Sequence, residues 1–408
     1  ILQYTYISKY LYKYIFIVLY NKYYLHYASG LLYIYNQIIR GVNKMNQKIK
    51  LTKDNILISL IVILSSILNF TNLNIENYSN EYYAAAVKSM TLSLKNFFFV
   101  SFDPAGFVSV DKPPLGFWLQ TISAKIFGYN AWSILLPQAL AGVISVILIY
   151  VIVKRSFGSI AGLISALCLS ITPVFVAVSR NNTIDNTLVM FLLFACLALT
   201  IAAEKGKLKY LIISMICVGL GFNVKMLQAY MVVPALYITY LLATSISFTK
   251  RIGHLIIGTV ILIIVSLSWA VIVDLVPSNN RPFVDSSTNN TVTELILGHN
   301  GSVSNSGNGP QANGRQMGGG PSKASGPQSS GSLQEQTTQG ITRLFSKNVL
   351  SDQIVWFIPL AIFGMFAAFF KEKVGLKLDN KRKQSLILWS VWFVPVFLYF
   401  SFNTGTSH

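Results

Sequence analysis

Runs of about twenty apolar residues, the length that crosses a bilayer, recur along most of the chain and constrain its fold more than any other feature. Read from Met45, such runs lie near 55–73, 132–153, 159–178, 186–203, 210–224, 228–246, 254–275, 353–370 and 385–402. Only 11% of the 408 residues are charged. A soluble domain carries roughly 25%, so this chain has too few charges to cover a water-facing surface. Backbone polar groups inside lipid must be satisfied within their own segment, so apolar runs of this length fold as helices. The expected fold class is an all-α polytopic membrane protein with about nine transmembrane helices.

The charges that remain are ordered. There are 32 Lys+Arg against 14 Asp+Glu, a formal charge of +18. The basic clusters are Lys48/Lys50/Lys53, Lys154-Arg155, Lys205/Lys207/Lys209, Lys250-Arg251, and Lys371 to Lys383. If the spans alternate in direction, every cluster falls on one side, and the positive-inside rule makes that side the cytoplasm of a plasma-membrane protein. The basic balance therefore reflects topology and not nucleic-acid binding, which needs a basic patch on a folded face. Cys168, Cys196 and Cys217 sit inside apolar runs and form neither a metal motif nor a disulfide framework.

The domains follow from the same map. Residues 1–44 hold 11 of the 21 tyrosines without helical or strand period, and the expectation is an upstream extension ahead of a start at Met45. Residues 45–275 form a membrane domain of seven spans, with a structured outer loop over 74–131. In that loop 81–90 reads as a helix. Residues 114–127 read as an amphipathic helix on the membrane surface, with Pro113 and Pro114 at its start. Residues 276–352 form a second outer loop, whose Gly/Ser/Asn-rich part, 300–340, has a composition that cannot build a core. Residues 353–408 hold the last two spans, and the expectation is that the C-terminus is incomplete.

With so few acids, each one on the outer side is informative. Glu81, Asp103, Asp111 and Asp185 all lie near the expected membrane surface. Asp111-Lys112-Pro113-Pro114 sets an acid and a cation just before a rigid helix start. Lys112 can pair a phosphate, with Asp111 orienting it or acting as a base. The alternative is a loop-closing pair at a helix N-terminus, where an acid is favourable anyway. Arg180-Asn181-Asn182-Thr183-Ile184-Asp185 sits between spans 3 and 4. An Arg fork with two amides and an acid suits a sugar and a phosphate together, although a polar turn would look the same. Lys225-Met226-Leu227-Gln228 interrupts a long apolar stretch. A lysine between two spans is a functional candidate or a cation snorkelling to the interface. No glycine-rich phosphate loop is followed by Lys-Ser/Thr and no cytoplasmic loop is long enough for a nucleotide-binding domain, so the sequence argues against ATP-driven transport within this chain.

In this order the motifs resemble the family 39 glycosyltransferases of the GT-C type, in their bacterial mannosyltransferase-like and aminoarabinose transferase-like branch. The resemblance runs through Asn80-Glu81-Tyr82-Tyr83, Ser101-Phe102-Asp103, Val110-Asp111-Lys112-Pro113-Pro114-Leu115, Trp132 to Gln138, Arg180-Asn181-Asn182 with Asp185, Lys225 to Gln228, and Ser287 to Asn290. It ends with Leu344-Phe345 and Gln353 to Trp356, and covers roughly Met45 to His408. It implies an inverting transfer of a sugar from an undecaprenyl-phosphate-type donor to an acceptor hydroxyl on the outer face. Asp111, Asp103 or Glu81 would be the base. Lys112 and Lys225, with Arg180, would hold the lipid phosphate. Asn181, Asn182, Asp185 and Gln228 would bind sugar or acceptor. The implied partners are the bilayer, the lipid-linked sugar and an acceptor protein, polymer or lipid; no metal or other cofactor is implied. Two departures stand out. The family often has an acidic pair where this chain has Asn80-Glu81, and its members continue past the equivalent of His408. The alternative functions are a transporter or flippase of lipid-linked sugars, for which polar residues at mid-span would be expected, and an inactive fragment.

Overall fold

The computed structural model describes residues 52–297, 340, 357–375 and 377–402. The expectations for residues 1–44 and 300–339, for Leu344-Phe345 and Gln353 to Trp356, and for the end at His408 lie outside the described residues. The chain divides into two compact units, Ile1–Ile56 and Leu57–His408. Of the first, only Thr52 to Ile56 are described; the Thr52 hydroxyl there accepts from the Asn55 N–H at 3.3 Å.

The second unit is helical throughout its described length, apart from isolated bridges between short extended segments. Helix α1 (Lys53–Phe70) leads into the first loop, which contains α2 (Glu81–Leu92), α3 (Leu94–Phe99) and α4 (Leu115–Phe127). Then come α5 (Ala131–Phe157), α6 (Ser159–Ile171), α7 (Pro173–Ser179), α8 (Asp185–Lys205), α9 (Leu208–Lys225), a 3-10 segment (Met226–Val232), α10 (Val233–Leu242) and α11 (Phe248–Leu275). The short α12 (Val292–Leu297) lies in the second loop, and α13 (Ile358–Glu372) and α14 (Lys381–Phe402) follow.

Six of these helical stretches are long and apolar enough to cross a membrane, or seven when the bent pair α6–α7 is counted as one span. The bend of 63° falls at Thr172, because Pro173 cannot donate to the preceding turn and holds Thr172 extended (ψ 117°). The 35-residue stretch Leu208–Leu242 counts as one of the six, but it doubles back. Its first half ends with Lys225 bonded to Asp185, at the start of α8. Its second half ends by Ala243, and three residues later Ile246 lies against Gly206, at the end of α8. The chain therefore reverses at Lys225-Met226, where Met226 takes φ 5° and ψ −118°. This matches separate runs at 210–224 and 228–246. Helix α13, 15 residues long, occupies part of the run expected at 353–370.

The two ends of the bundle differ in chemistry. At one end Glu204 bonds Arg155 (2.6 Å) and Lys381 (3.2 Å), and Lys154 and Lys205 adjoin this contact in sequence. The opposite end carries Asp185, Lys225 and the first loop. Charge alternation along the sequence is thus realised as a basic end and a loop end.

Lipid removes the usual hydrophobic driving force between helices, so close packing carries the association. Helix α8 runs through the middle, with Ala195, Cys196, Leu199, Ala202 and Ala203 fully buried. Gly219 lets α9 meet α11: a Cβ there would come within 2.7 Å of Val265. The apolar side chains that remain exposed, such as Ile256, Val260 and Ile264 of α11, face the hydrocarbon position.

The first loop is held by polar terminations. Asn80 caps α2 by accepting from the Tyr83 N–H. The last carbonyls of α3 receive two indoles, Trp118 onto Phe97 (2.6 Å) and Trp269 onto Phe98 (3.0 Å). Beyond α3, the segments around Ser101 and Ser109 pair, and Phe283 from the second loop pairs beside Val108. Helix α4 differs in part from a surface-lying helix. Ile122, Ile126 and Phe127 are exposed, but Phe117 is fully buried and Trp118 packs on Phe97. The bonded indole and the edge-on contact of Phe117 with Tyr83 turn that face into the protein and away from lipid.

Candidate active site

Three segments distant in sequence meet at the loop end. Asn182, fully buried, forms a two-way bond with the backbone of Asn80: its side-chain oxygen accepts from the Asn80 N–H (2.9 Å) and its amide donates to the Asn80 carbonyl (2.7 Å). Gln120 of α4 donates to the Asn182 carbonyl at 2.7 Å. Gln138 of α5 clamps Thr187 in the first turn of α8, donating to its hydroxyl and accepting from its N–H. The start of α2, the start of α4 and the turn before α8 are thereby locked together by buried amides. Such amides must be paired, so each bond also fixes a backbone position.

Gly116 makes the approach of α4 possible. A Cβ at this position would lie 2.4 Å from Ile184 Cγ2 and 2.8 Å from Ile184 Cβ. Gly116→Val is expected to destabilise the protein by about 1–3 kcal/mol through overpacking, read as a lowered unfolding midpoint in detergent. Adding Ile184→Ala should recover most of the loss; no recovery would show that the contact is not the cause.

Within this frame stand two short ion pairs, Asp111–Lys112 and Asp185–Lys225, each at 2.5 Å. The four side chains are between 18% and 32% exposed, reachable from outside yet partly shielded. The charges of both Asp111 and Asp185 act on Tyr83. Burial, then the charges of Asp111 and Asp185, push its phenol well above the ordinary tyrosine range, so it stays protonated. Its ring meets Phe117 edge-on at 5.0 Å. Beside it, Tyr82 stacks on Phe102 at 4.6 Å and donates to Asp285 at 3.0 Å.

The other acids of the first loop have different surroundings. One oxygen of Asp103 accepts from the Phe107 and Val108 N–H groups at 2.8 and 2.9 Å. Burial works to raise its pKa, but the N–H groups of Val108, Phe107, Gly106 and Ala105 outweigh it and hold the carboxyl below its usual range. Asp103 thus anchors the turn of the loop. Glu81 is exposed in the first turn of α2, where a negative charge suits the helix end.

The residues expected to bind substrate separate in the same way. Asp185 and Lys225 pair with each other, and Asp185, like Asp111, acts on the charge balance of the Tyr83 phenol. Arg180 points elsewhere. Its guanidinium donates to the carbonyls of Leu68 (2.9 Å), Thr71 (2.7 Å) and Asn72 (2.8 Å), closing the C-terminal end of α1. Asn181 folds its own turn by accepting from the Thr183 N–H. Asn182 is a buried strut, and Gln228 is exposed in the 3-10 segment. The Ser287–Asn290 motif shapes the second loop, with Glu294 accepting from Thr288 and Asn289. Among the described residues no group of three His, Cys, Asp or Glu side chains gathers as metal ligands.

Tyr83, Asp285, Gln120 and Gly116 have no individual signal in the sequence. Tyr83 sits in a tyrosine-rich chain, and Gly116 becomes meaningful only against Ile184.

Residues 111–269 match the model of the dolichyl-phosphate-mannose-protein mannosyltransferase family. The chain is 39% identical to the mannosyltransferase-like protein YkcB of Bacillus subtilis (strain 168), over 85% of this chain and 58% of that protein. It is 38% identical to YycA of the same organism, over 84% of this chain and 59% of that protein. The chain thus spans somewhat over half the length of these relatives. Among solved structures, ArnT from Cupriavidus metallidurans in the apo state shares the fold, with a TM-score of 0.57 at 17% identity, over 85% of this chain and 55% of ArnT. A second structure of that ArnT, bound to undecaprenyl phosphate, gives a TM-score of 0.52 at 16% identity, over 85% of this chain and 56% of ArnT.

Proposed function

We propose that the chain, whose residues 111–269 match the mannosyltransferase family model and which shares the fold of ArnT, transfers a sugar from a polyprenyl-phosphate-sugar donor to an acceptor hydroxyl, with inversion at the anomeric carbon. The observation that carries this reading is the pair of carboxylate–lysine contacts, Asp111–Lys112 and Asp185–Lys225, both acting around Tyr83. A carboxylate beside an ammonium group offers a base for one reactant and a counter-charge for the other. The acceptor oxygen attacks the anomeric carbon while Asp111 takes its proton. The bond from that carbon to the phosphate oxygen breaks, and its electron pair leaves on the polyprenyl phosphate. Lys112 and Lys225 stabilise the added negative charge. Asp185 holds Lys225 and faces the sugar. The positive-inside rule assigns the basic end to the cytoplasm and this site to the extracytoplasmic side.

The test uses membranes holding the protein. They are incubated with labelled undecaprenyl-phosphate-sugars, and release of lipid phosphate is followed. The wild type should consume donor, and Lys112→Ala should lose at least about a hundredfold in rate. Donors left intact by well-expressed wild-type protein, across several sugars, would end the transferase reading in favour of transport.

A further inference from the structure

One carboxylate near the end of α11 grips both ends of the segment 281–293. Asp274 accepts from the guanidinium of Arg281 (3.1 Å), from the Val292 and Thr293 N–H groups (2.7 and 3.0 Å) and from the Thr293 hydroxyl (2.7 Å). The Arg281 side chain is only 5% exposed, and a buried cation without its partner is costly. Between the two ends, the Asn290 side chain accepts from the Val284 N–H at 2.8 Å, and Val284 is buried. The segment is thereby closed onto the last turn of α11.

This closed segment presents Phe283 to the first loop. The Phe283 N–H donates to the Phe107 carbonyl (2.7 Å), and its carbonyl accepts from the Ser109 N–H (2.8 Å), so its backbone runs parallel beside Val108. On the other edge the same stretch pairs with residues 100–102. The Phe102 N–H donates to the Val108 carbonyl (2.8 Å) and the Val110 N–H to the Val100 carbonyl (2.9 Å). Asp111 is the next residue. Its backbone is therefore held from two sides, and a pair of short extended segments without the third is marginal by itself. The third is supplied by Phe283, whose place is set by Asp274 and Arg281.

Resting on the glycosyl-transfer reading, we propose that Asp274 and Arg281 are positioning residues for the reaction: they hold Phe283 against residues 107–109 and so fix the backbone that presents Asp111 and Lys112.

The test uses the full chain in lipid nanodiscs with two readouts. One is hydrogen exchange of the peptide covering residues 100–112. The other is release of lipid phosphate from labelled undecaprenyl-phosphate-sugars, normalised to folded protein. Asp274→Ala should speed exchange at Ser109 and its neighbours at least about tenfold. It should also lower turnover by about 10- to 100-fold, as when a remote change displaces a reacting group by about an ångström. Arg281→Gln, which leaves Asp274 on Val292 and Thr293, should show both changes in smaller size, and it replaces Asp274→Ala if that variant does not fold. Paired strands lie about 4.8 Å apart, within the span of a disulfide. Adding Val108→Cys and Phe283→Cys to Asp274→Ala should therefore restore both readouts when oxidised and lose the rescue on reduction. A role of Asp274 confined to the end of α11 would not respond to that bond. Unchanged exchange in Asp274→Ala overturns the proposal. So does faster exchange with wild-type turnover per folded molecule, or a formed disulfide that leaves turnover low. If wild type consumes no donor, the transferase reading falls and the positioning role with it, while the exchange data still show whether the two loops are coupled.

Discussion

Asp111→Asn is expected to lower turnover of the lipid-linked donor by about 10²- to 10⁴-fold, with donor KM changed little. The amide keeps the shape and one hydrogen-bond acceptor but cannot take the acceptor's proton. Lys112 stays in place to hold phosphate, so ground-state binding should survive while the proton-transfer step fails. The comparison that gives this result meaning is Asp103→Asn. That carboxylate is tied to the N–H groups of Phe107 and Val108, so its loss should loosen the turn and lower stability with a much smaller effect on rate per folded molecule. The measurement is steady-state turnover against donor concentration for both variants, normalised to folded protein. A large loss of kcat in Asp103→Asn beside near-normal Asp111→Asn would move the base to Asp103.

Lys225→Ala should reduce kcat/KM for the donor by about 10²- to 10³-fold, the usual cost of removing one group that stabilises transition-state charge. A simpler explanation of such a loss is that Asp185, left without its cation, repels the donor phosphate. The double variant Asp185→Asn/Lys225→Ala separates the two. If Lys225 only neutralises Asp185, removing both charges should restore much of the activity. If Lys225 holds the leaving phosphate, the double variant should stay as inactive as Lys225→Ala. The cycle is informative because the two side chains touch at 2.5 Å and so are coupled.

The interrupted helix pair at Lys225 shows how the sequence conveys topology. A lysine between two apolar runs of 15 and 19 residues is readable as a break, because a charge at mid-membrane is costly and chains place it at an interface. The break could equally be a snorkelling cation. What decides between them is Asp185, forty positions earlier, and that contact has no local signature. Arg180 shows the converse. By type and spacing it suits a phosphate, yet its donors close the end of α1, because the chain folds three carbonyls into its reach. A donor-rich side chain goes to whichever acceptors the fold offers, and sequence spacing does not list them.

Against about nine expected spans, the described residues hold six helices, or seven with the bent pair, long and apolar enough to cross. The sequence by itself determined the membrane class, the break at Lys225, the separation into a basic and a loop end, and the short polar stretches between apolar runs. These depend on properties that add along the chain: apolar length, charge position, and the turn chemistry of Pro113, Pro114 and Pro173. Tertiary structure alone decided which of those polar residues pair: Asp111 meets Lys112 and Asp185 meets Lys225, while Asp103, Arg180, Asn181 and Asn182 hold the frame. The physical reason is that a side chain's role follows from its nearest partners, and those partners are brought in by the helix packing at Gly116–Ile184 and by the buried amides of Asn182 and Gln138.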